Sequence, residues 1–441
     1  MTGKFPVANP TASFWLTQPH HLASYRSSEQ TPDECDIAII GTGLAGVSAA
    51  YHILVNHKGP EPKVVLFDAR QACSGATGRN GGHIKVLMPS LKRYHDRFGA
   101  AAAQQLFEYV SAQMAAMKSA QEIEGIDCDL FLTRSFDCYY DPAQAAEIKA
   151  FLEEQRDAGA KWTQEVQWLE GPKLERATGM KGLVAAVSVP ALTLWPYKFV
   201  TALLERVVEL GAFLYTETPV ESCKSEDGSI LLTTPRGVTK AKKVIYAANA
   251  YTSAVLPQYS GVIVPFRGQN SVLVPLEKAH QPHLTYTRNL FHTPGNADYL
   301  VPRPDGTVIL GGGGGAYRRD EQDRNAAWFD TVDDASLIHP GVRRHFDGVM
   351  ARCFRGWEDS DATAAMTWSG IMGATPDGVP HVGQVPGTEN QWILAGFNGG
   401  GMPLIFTSAR GVADMVCNGV SFKETGILEM FETTAERLDK K

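Results

Sequence analysis

Long hydrophobic runs are missing from this chain. No stretch of about 18 consecutive apolar residues occurs in it, so no segment has the length of apolar helix that a bilayer core requires. Residues 1–30 show no apolar block behind a basic start, and no export signal is expected. Cysteine is sparse: seven residues, an odd number with no C-x-x-C pair, which speaks against a disulfide framework or a cysteine zinc site and suits reduced thiols. Positive charge is also short. The 41 Lys and Arg stand against 48 Asp and Glu, the net charge is -7, and no block of five basic residues exists; nucleic acid and anionic membrane surfaces are therefore excluded as partners. The expectation is a cytoplasmic protein whose partner is a small molecule. Its 441 residues, 44% hydrophobic and 20% charged, suit two or three structural units of about 100–200 residues each. Glycine is the excess, with 42 residues.

The first 34 residues, rich in Pro, Ser, Thr and His with an apolar island at Phe14-Trp15-Leu16, read as an irregular arm. From Asp36 the pattern changes to that of a strand, Ile37-Ala38-Ile39-Ile40, a glycine turn, and helical spacing over Val47 to Val55. A second apolar strand, Lys63 to Asp68, completes a parallel β-α-β unit. Further helices are expected at Ala100 to Ile123, Pro142 to Ala158, Pro196 to Leu210 and Met402 to Cys417. Short strands separated by Pro and Gly, at Val262 to Phe266, Ser271 to Pro275, Tyr299 to Pro302 and Val308 to Leu310, predict an antiparallel sheet.

Gly41-Thr42-Gly43-Leu44-Ala45-Gly46 is a G-x-G-x-x-G between strand and helix, and Asp68 ends the next strand, followed by Ala69 and Arg70. The first glycine makes the tight turn, the second lets a pyrophosphate approach the backbone, and the third lets helix pack on strand. Asp68 is placed to accept from a ribose hydroxyl, and the helix start supplies free N–H groups for phosphate. Next comes Ser74-Gly75-Ala76-Thr77-Gly78-Arg79-Asn80-Gly81-Gly82-His83, a loop small enough for a flat ring system to lie on its backbone. Gly311 to Gly315 is not expected to be a second nucleotide loop, because Ala316-Tyr317-Arg318-Arg319-Asp320 cannot open an apolar helix.

In the order of these elements the chain resembles the D-amino-acid oxidase superfamily of flavoenzymes, and most of all its γ-glutamylputrescine oxidase-like members, which share the S-G-A-T-G-R-N-G-G loop. The resemblance implies a mixed α/β fold: a Rossmann-type FAD-binding domain from residues 35–127, 183–261 and 366–441, with an antiparallel substrate domain from 128–182 and 262–365. It also implies FAD as cofactor, touched by Val220 near the adenine, by Ala248 and Asn249 at a strand end, and by Gly370, Gly396, Asn398, Gly399, Gly400, Gly401 and Met402 in the carboxy-terminal segment. Relatives that tether flavin use a Cys in the stretch matching Thr367 to Thr375; no Cys lies between Cys353 and Cys417, so non-covalent FAD is expected. Where relatives place an oxygen-activating Lys, this chain has Val308-Ile309.

The implied reaction is oxidation of a C–N bond in an amine or amino acid: hydride passes to flavin N5, an imine forms, and oxygen accepts the electrons to give peroxide. A desaturase or oxidative cyclase, or a dehydrogenase serving a quinone or protein acceptor, would share the same cofactor motifs. His83 stands as a candidate for contact with flavin or substrate, or for packing. Arg79 and Arg267 could fork onto a substrate carboxylate, or serve the flavin or a buried ion pair. Tyr299 and Trp195 are candidates to line an aromatic pocket, or plain core. The pair His20-His21 reads as surface, and no metal site is expected.

Overall fold

The computed structural model describes residues 4–57, 59–275, 281–314, 328–338 and 345–440. Its described strands form two sheets. In the first, the strand β1 (Glu34–Ile40) is central: it pairs in parallel with β2 (Val64–Phe67) on one side and with Gly237–Tyr246 on the other. All of β2 is buried, as expected of a parallel strand covered on both faces. The helix α1 (Leu44–Asn56) joins β1 to β2 and is buried along ten of its 13 residues. It packs between the helices Pro196–Glu209 and Ile405–Asn418. The strands Phe213–Tyr215 and Gln391–Ala395 extend this sheet in parallel on its two sides.

Two glycines make the first turn possible for the chain itself. Gly41 has φ +113°, and a Cβ there would lie 2.6 Å from the carbonyl oxygen of Ala247; at Gly46 a Cβ would overlap the carbonyl oxygen of Gly41. Helix and strand are in backbone contact at these positions, which only glycine permits.

The second sheet has nine strands, mostly antiparallel, with one parallel pair between Phe131–Tyr139 and Thr287–Thr293. Its strand β3 (His83–Lys85) pairs with Ala185–Thr193. The strands Thr363–Ala374 and Ala185–Thr193 also belong to it, although residues 183–261 and 366–441 were expected in the cofactor domain. An apolar strand carries no signal of which sheet it will join. The segments read as two strands at Val262 to Phe266 and Ser271 to Pro275 form one strand, Val264–Val274, because Gly268-Gln269-Asn270 continues the ladder with Thr363–Ala374 instead of turning.

The helix expected at Met402 begins at Ile405, and Pro403 precedes its N-cap, Leu404. The helix Met88–Phe98 has no counterpart in the sequence reading. The residues Gly315 to Asp320 lie outside the described part of the chain.

The arm is laid across the glycine loop. Trp15, fully buried, donates from Nε1 to the carbonyl of Asn80 at 2.6 Å, and Ser13 Oγ donates to the carbonyl of Gly78 at 2.7 Å. No helix among the described residues is long and apolar enough to cross a membrane.

Candidate functional site

A cavity of about 480 Å³ runs between the two sheets, from the Gly41–Gly46 turn to the face of the second sheet. Gly41, Gly43, Leu44 and Ala45 line it, while Gly46 lies behind them as a packing residue. Gly43 is the N-cap of α1 and has no side chain to cap it, so the first turn presents N–H groups without intrahelical partners. A Cβ at Gly43 would meet only Thr77, at 3.1 Å from Oγ1. The space beyond Gly43 is the cavity, as close approach of a pyrophosphate demands.

The loop after β2 forms the adjoining wall, with Asp68, Ala69, Arg70, Ser74, Gly75, Ala76, Thr77, Arg79, Asn80 and Gly81 all facing the cavity. Asp68 lines the cavity and also has partners in the protein itself. Its Oδ2 accepts from Thr42 N at 2.9 Å and Thr42 Oγ1 at 2.5 Å, and its Oδ1 accepts from Arg70 N. The carboxylate therefore holds the turn and the loop together, and burial raises its pKa against those hydrogen bonds. Gly82 is not at the cavity. A Cβ there would lie 2.8 Å from the ring of Trp15 and from the carbonyl oxygen of Leu194, so its glycine serves the arm.

Val220, Ala248 and Asn249 line the cavity as expected, and so do Gly370, Gly399, Gly400, Gly401 and Met402. Gly396 and Asn398 do not: they brace the wall from behind. Asn249 Oδ1 accepts from Gly396 N at 3.0 Å, and Asn398 Oδ1 accepts from Thr375 N at 2.8 Å.

Of the four residues put forward for chemistry, three reach the cavity. His83, Arg267 and Tyr299 line it, and Trp195 does not. Trp195 donates from Nε1 to the carbonyl of Trp15 at 2.8 Å, stacks on Phe14, and lies 4.7 Å from the guanidinium carbon of Arg303. It anchors the arm. Tyr299 lies against Gly81, where a side chain would run into its ring, and its hydroxyl donates to Asn270 Oδ1 at 2.5 Å. Asn270 Nδ2 in turn donates to the carbonyl of Arg79. Arg267 is buried, and its Nη1 donates to the Asp333 carboxylate and to Ser336 Oγ. Arg79 donates to the carbonyls of Ser74 and Ser369, and lies 3.7 Å from Asp334. Burial lowers its pKa to about 10. Both arginines are thus turned into the protein framework, the alternative left open by the sequence.

Lys85 was missed. It lines the cavity beside His83, is buried, and places Nζ 3.3 Å from His83 Nδ1. Burial lowers its pKa to about 7, against a smaller upward pull from Asp137. Burial also holds His83 well below the ordinary histidine value, with the Lys85 charge adding to the effect. Residues two apart on a strand share a face, so His83-Ile84-Lys85 carried the signal once His83 was singled out.

The residues present fit FAD. Ser74 Oγ, Tyr251 Oη and Gln269 Nε2 are buried polar atoms of cavity-lining residues and have no hydrogen-bond partner among the described residues. Leaving such an atom unpaired costs about 1–3 kcal/mol, which a polar ligand along this wall would offset.

A β-α-β unit with its glycine turn open to a deep cavity, roofed by a second sheet, defines a dinucleotide-dependent oxidoreductase of the flavin type. The chain belongs to the DAO family of FAD dependent oxidoreductases, whose pattern it matches over residues 36–415. It is an enzyme, and FAD is its cofactor. It is 25% identical over 402 residues to glycine oxidase of Bacillus licheniformis, covering 86% of this chain and 92% of that protein. It is 23% identical over 405 residues to the mitochondrial dimethylglycine dehydrogenase of Mus musculus, covering 86% of this chain and 43% of that one. Among solved structures the fold is shared with glycine oxidase from Geobacillus kaustophilus, at a TM-score of 0.72 and 19% identity over 92% of this chain and 99% of the other. It is also shared with L-amino acid deaminase from Proteus vulgaris with its specific insertion sequence deleted, at a TM-score of 0.68 and 16% identity over 94% and 99%.

Proposed function

We propose that this protein oxidises a C–N bond of a small amine or amino acid to the imine, with oxygen accepting the electrons and hydrogen peroxide as the second product. The observation that carries the reading is the single cavity shared by the Gly41–Gly46 turn and the polar face of the second sheet, where His83, Lys85 and Tyr299 stand together. The glycine oxidase and dimethylglycine dehydrogenase among its relatives support the choice of bond.

FAD, when bound, supplies the two-electron acceptor for a hydride leaving the carbon next to nitrogen. The turn at Gly41–Gly46 and the start of α1 would hold its pyrophosphate. The loop Ser74 to Gly81 and the segment Gly399 to Met402 would flank the ring. Tyr299, fixed by Asn270, closes the cavity wall and orients what lies against it. His83 remains neutral at physiological pH, so it offers a hydrogen bond without a charge. Buried walls exclude water from a reactive imine.

Anaerobic mixing with a panel of primary amines, secondary amines and amino acids tests the proposal. One class should bleach the visible flavin band, and admitting air should restore it with formation of peroxide. Bleaching by none of them would remove the C–N reading. Bleaching that persists in air but is reversed by a quinone dye would make the protein a dehydrogenase.

A further inference from the structure

On the face of the second sheet turned away from the cavity, two imidazoles point at one buried carboxylate oxygen. Asp298 Oδ2 lies 3.0 Å from His292 Nε2 and 2.8 Å from His345 Nε2. Asp298 and Tyr299 are successive residues of the strand Asn296–Pro302, so their side chains take opposite faces; Tyr299 lines the cavity and Asp298 does not. His292 stands where the ladder to that strand slips, between Phe291 and Thr293, and such a bulge re-aims a side chain. The Tyr140 ring stacks on His292 at 5.3 Å, and the Phe346 ring lies 5.6 Å from His345. The other carboxylate oxygen, Oδ1, accepts from Gly313 N at 2.7 Å, and Gly312 leaves it room, since a Cβ there would lie 2.6 Å away. The Asp298 side chain is fully buried, whereas each histidine side chain is 27% exposed, which opens the cluster to ions from solvent. Among the described residues no lysine or arginine pairs with Asp298.

We infer that His292, Asp298 and His345 form a binding site for a first-row transition dication such as zinc, separate from the FAD cavity and independent of the amine-oxidation reading. Two imidazoles with one carboxylate are a donor set for zinc and its neighbours, whereas magnesium and calcium take oxygen ligands. Ligand atoms at about 2.0–2.2 Å from one ion stand about 3–3.5 Å apart, so the observed spacings need only a small outward shift of the two rings. Backbone support of Oδ1 and ring packing against Tyr140 and Phe346 hold the ligands in orientation, as a metal site requires. Without an ion, a neutral ring donates its Nε2 proton to the carboxylate. On binding, that proton passes by way of water to Nδ1 and the bare Nε2 turns to the ion, so a neutral ring neither gains nor loses a proton. Three protein ligands leave a position for water. The ion would tie the hairpin Thr287–Pro302 to the segment that carries His345, a structural role. No metal spacing was legible in the sequence, because His345 lies 47 residues beyond Asp298. One other group of this kind occurs among the described residues, His20, His21 and Glu205. It lies at the surface, and His20 Nδ1 already accepts from Leu22 N.

Zinc titration of the tag-free, FAD-loaded protein, followed by calorimetry and by metal content after dialysis, tests the site. Wild type should retain one zinc per chain and unfold at a higher temperature with it. His345→Gln and His292→Gln, each with its full FAD content as the check on folding, should lose about tenfold or more in zinc affinity, and His21→Ala should lose none. X-ray absorption at the zinc edge of the wild-type complex should show two imidazole nitrogens at about 2.0–2.1 Å together with oxygen. That spectrum decides the matter if a glutamine variant fails to hold FAD. A wild type that retains no zinc would make the cluster a set of hydrogen bonds and nothing more. Zinc binding that survives His345→Gln, that is lost in His21→Ala, or whose spectrum lacks two imidazoles likewise overturns the inference.

Discussion

Arg70 and Asp334 meet in a two-pronged ion pair, Nη1 to Oδ1 at 2.9 Å and Nη2 to Oδ2 at 3.0 Å, across 264 residues of sequence. Asp334 is buried and also stands near Arg79 Nε. One carboxylate thus holds two guanidiniums of the loop that walls the cofactor cavity. Asp334→Ala would leave both charges under-compensated and should destabilise the protein by about 3–5 kcal/mol. Urea unfolding followed by tryptophan emission, with FAD release measured in parallel, checks this. FAD should leave before the chain unfolds. Unchanged stability would show that water replaces the carboxylate at no cost.

Two glycines of the turn, Gly46 and Gly43, should fail in different ways. Gly46→Ala forces a side chain onto the backbone of Gly41 and should prevent folding. Gly43→Val meets little protein, so the chain should fold yet purify colourless, because the valine occupies the approach of the pyrophosphate. Circular dichroism and the flavin content of each variant separate the outcomes. Normal FAD content in Gly43→Val would mean that the pyrophosphate binds elsewhere.

The parts of the fold legible in the sequence are those whose signal is local. The unit from β1 through α1 to β2 was readable because its strand period, helix period and glycine spacing all fall within 34 residues, Glu34 to Phe67. The arm's brace was not readable: an aromatic residue at a helix start such as Trp195 looks alike whether it lines a pocket or packs on Trp15. Asp334 was invisible for another reason, since a contact across such a separation leaves no pattern in one sequence. Lys85 lies between these cases, legible by strand alternation from His83 but overlooked because β3 has only three residues.

Asp298 gives the second sheet its own pH dependence. Its Oδ2 lies 3.0 Å from His292 Nε2 and 2.8 Å from His345 Nε2, and Oδ1 accepts from Gly313 N. Hydrogen bonds from the two histidines hold its carboxyl well below the ordinary value of 3.8 despite burial. A depressed carboxylate stabilises the fold above its ordinary pKa, and this contribution is lost as pH falls through the lower folded value. Asp298→Asn should therefore cost about 2–4 kcal/mol at neutral pH, with the difference from wild type shrinking below about pH 4. Urea midpoints for both proteins across the acid range provide the measurement. A constant difference at every pH would assign the effect to packing.

Acid precipitation of the purified yellow protein should release intact FAD into the supernatant. Among the described residues lining the cavity there is no cysteine, and Cys73, behind the loop, is a buried thiol with its pKa raised well above the ordinary value, so it is a poor nucleophile. Colour retained in the pellet would instead make His83 the first residue to replace.

The carboxy-terminal glycines lie ahead of the final helix, which begins at Ile405, four residues after Gly401. What faces the cavity is the backbone of Gly399 to Met402. Gly400 N donates to the carbonyl of Phe397 at 2.8 Å, whereas among the described residues the N–H groups of Gly401 and Met402 have no hydrogen-bond acceptor. Where such donors face a bound ring system, they would stabilise negative charge on it as it is reduced. Gly400→Val tests this with little clash, because the nearest heavy atom to a Cβ there is Phe397 O at 3.8 Å. The variant should keep its FAD, bind sulfite more weakly and be reduced anaerobically about tenfold more slowly, the effect of displacing one good donor. Gly401→Ala is a poorer probe, since its Cβ would press on Ile405 at 2.7 Å. If Gly400→Val holds FAD with unchanged sulfite affinity and an unchanged reduction rate, this segment does not contact the reacting end of the flavin, and its donors belong to the cavity wall alone.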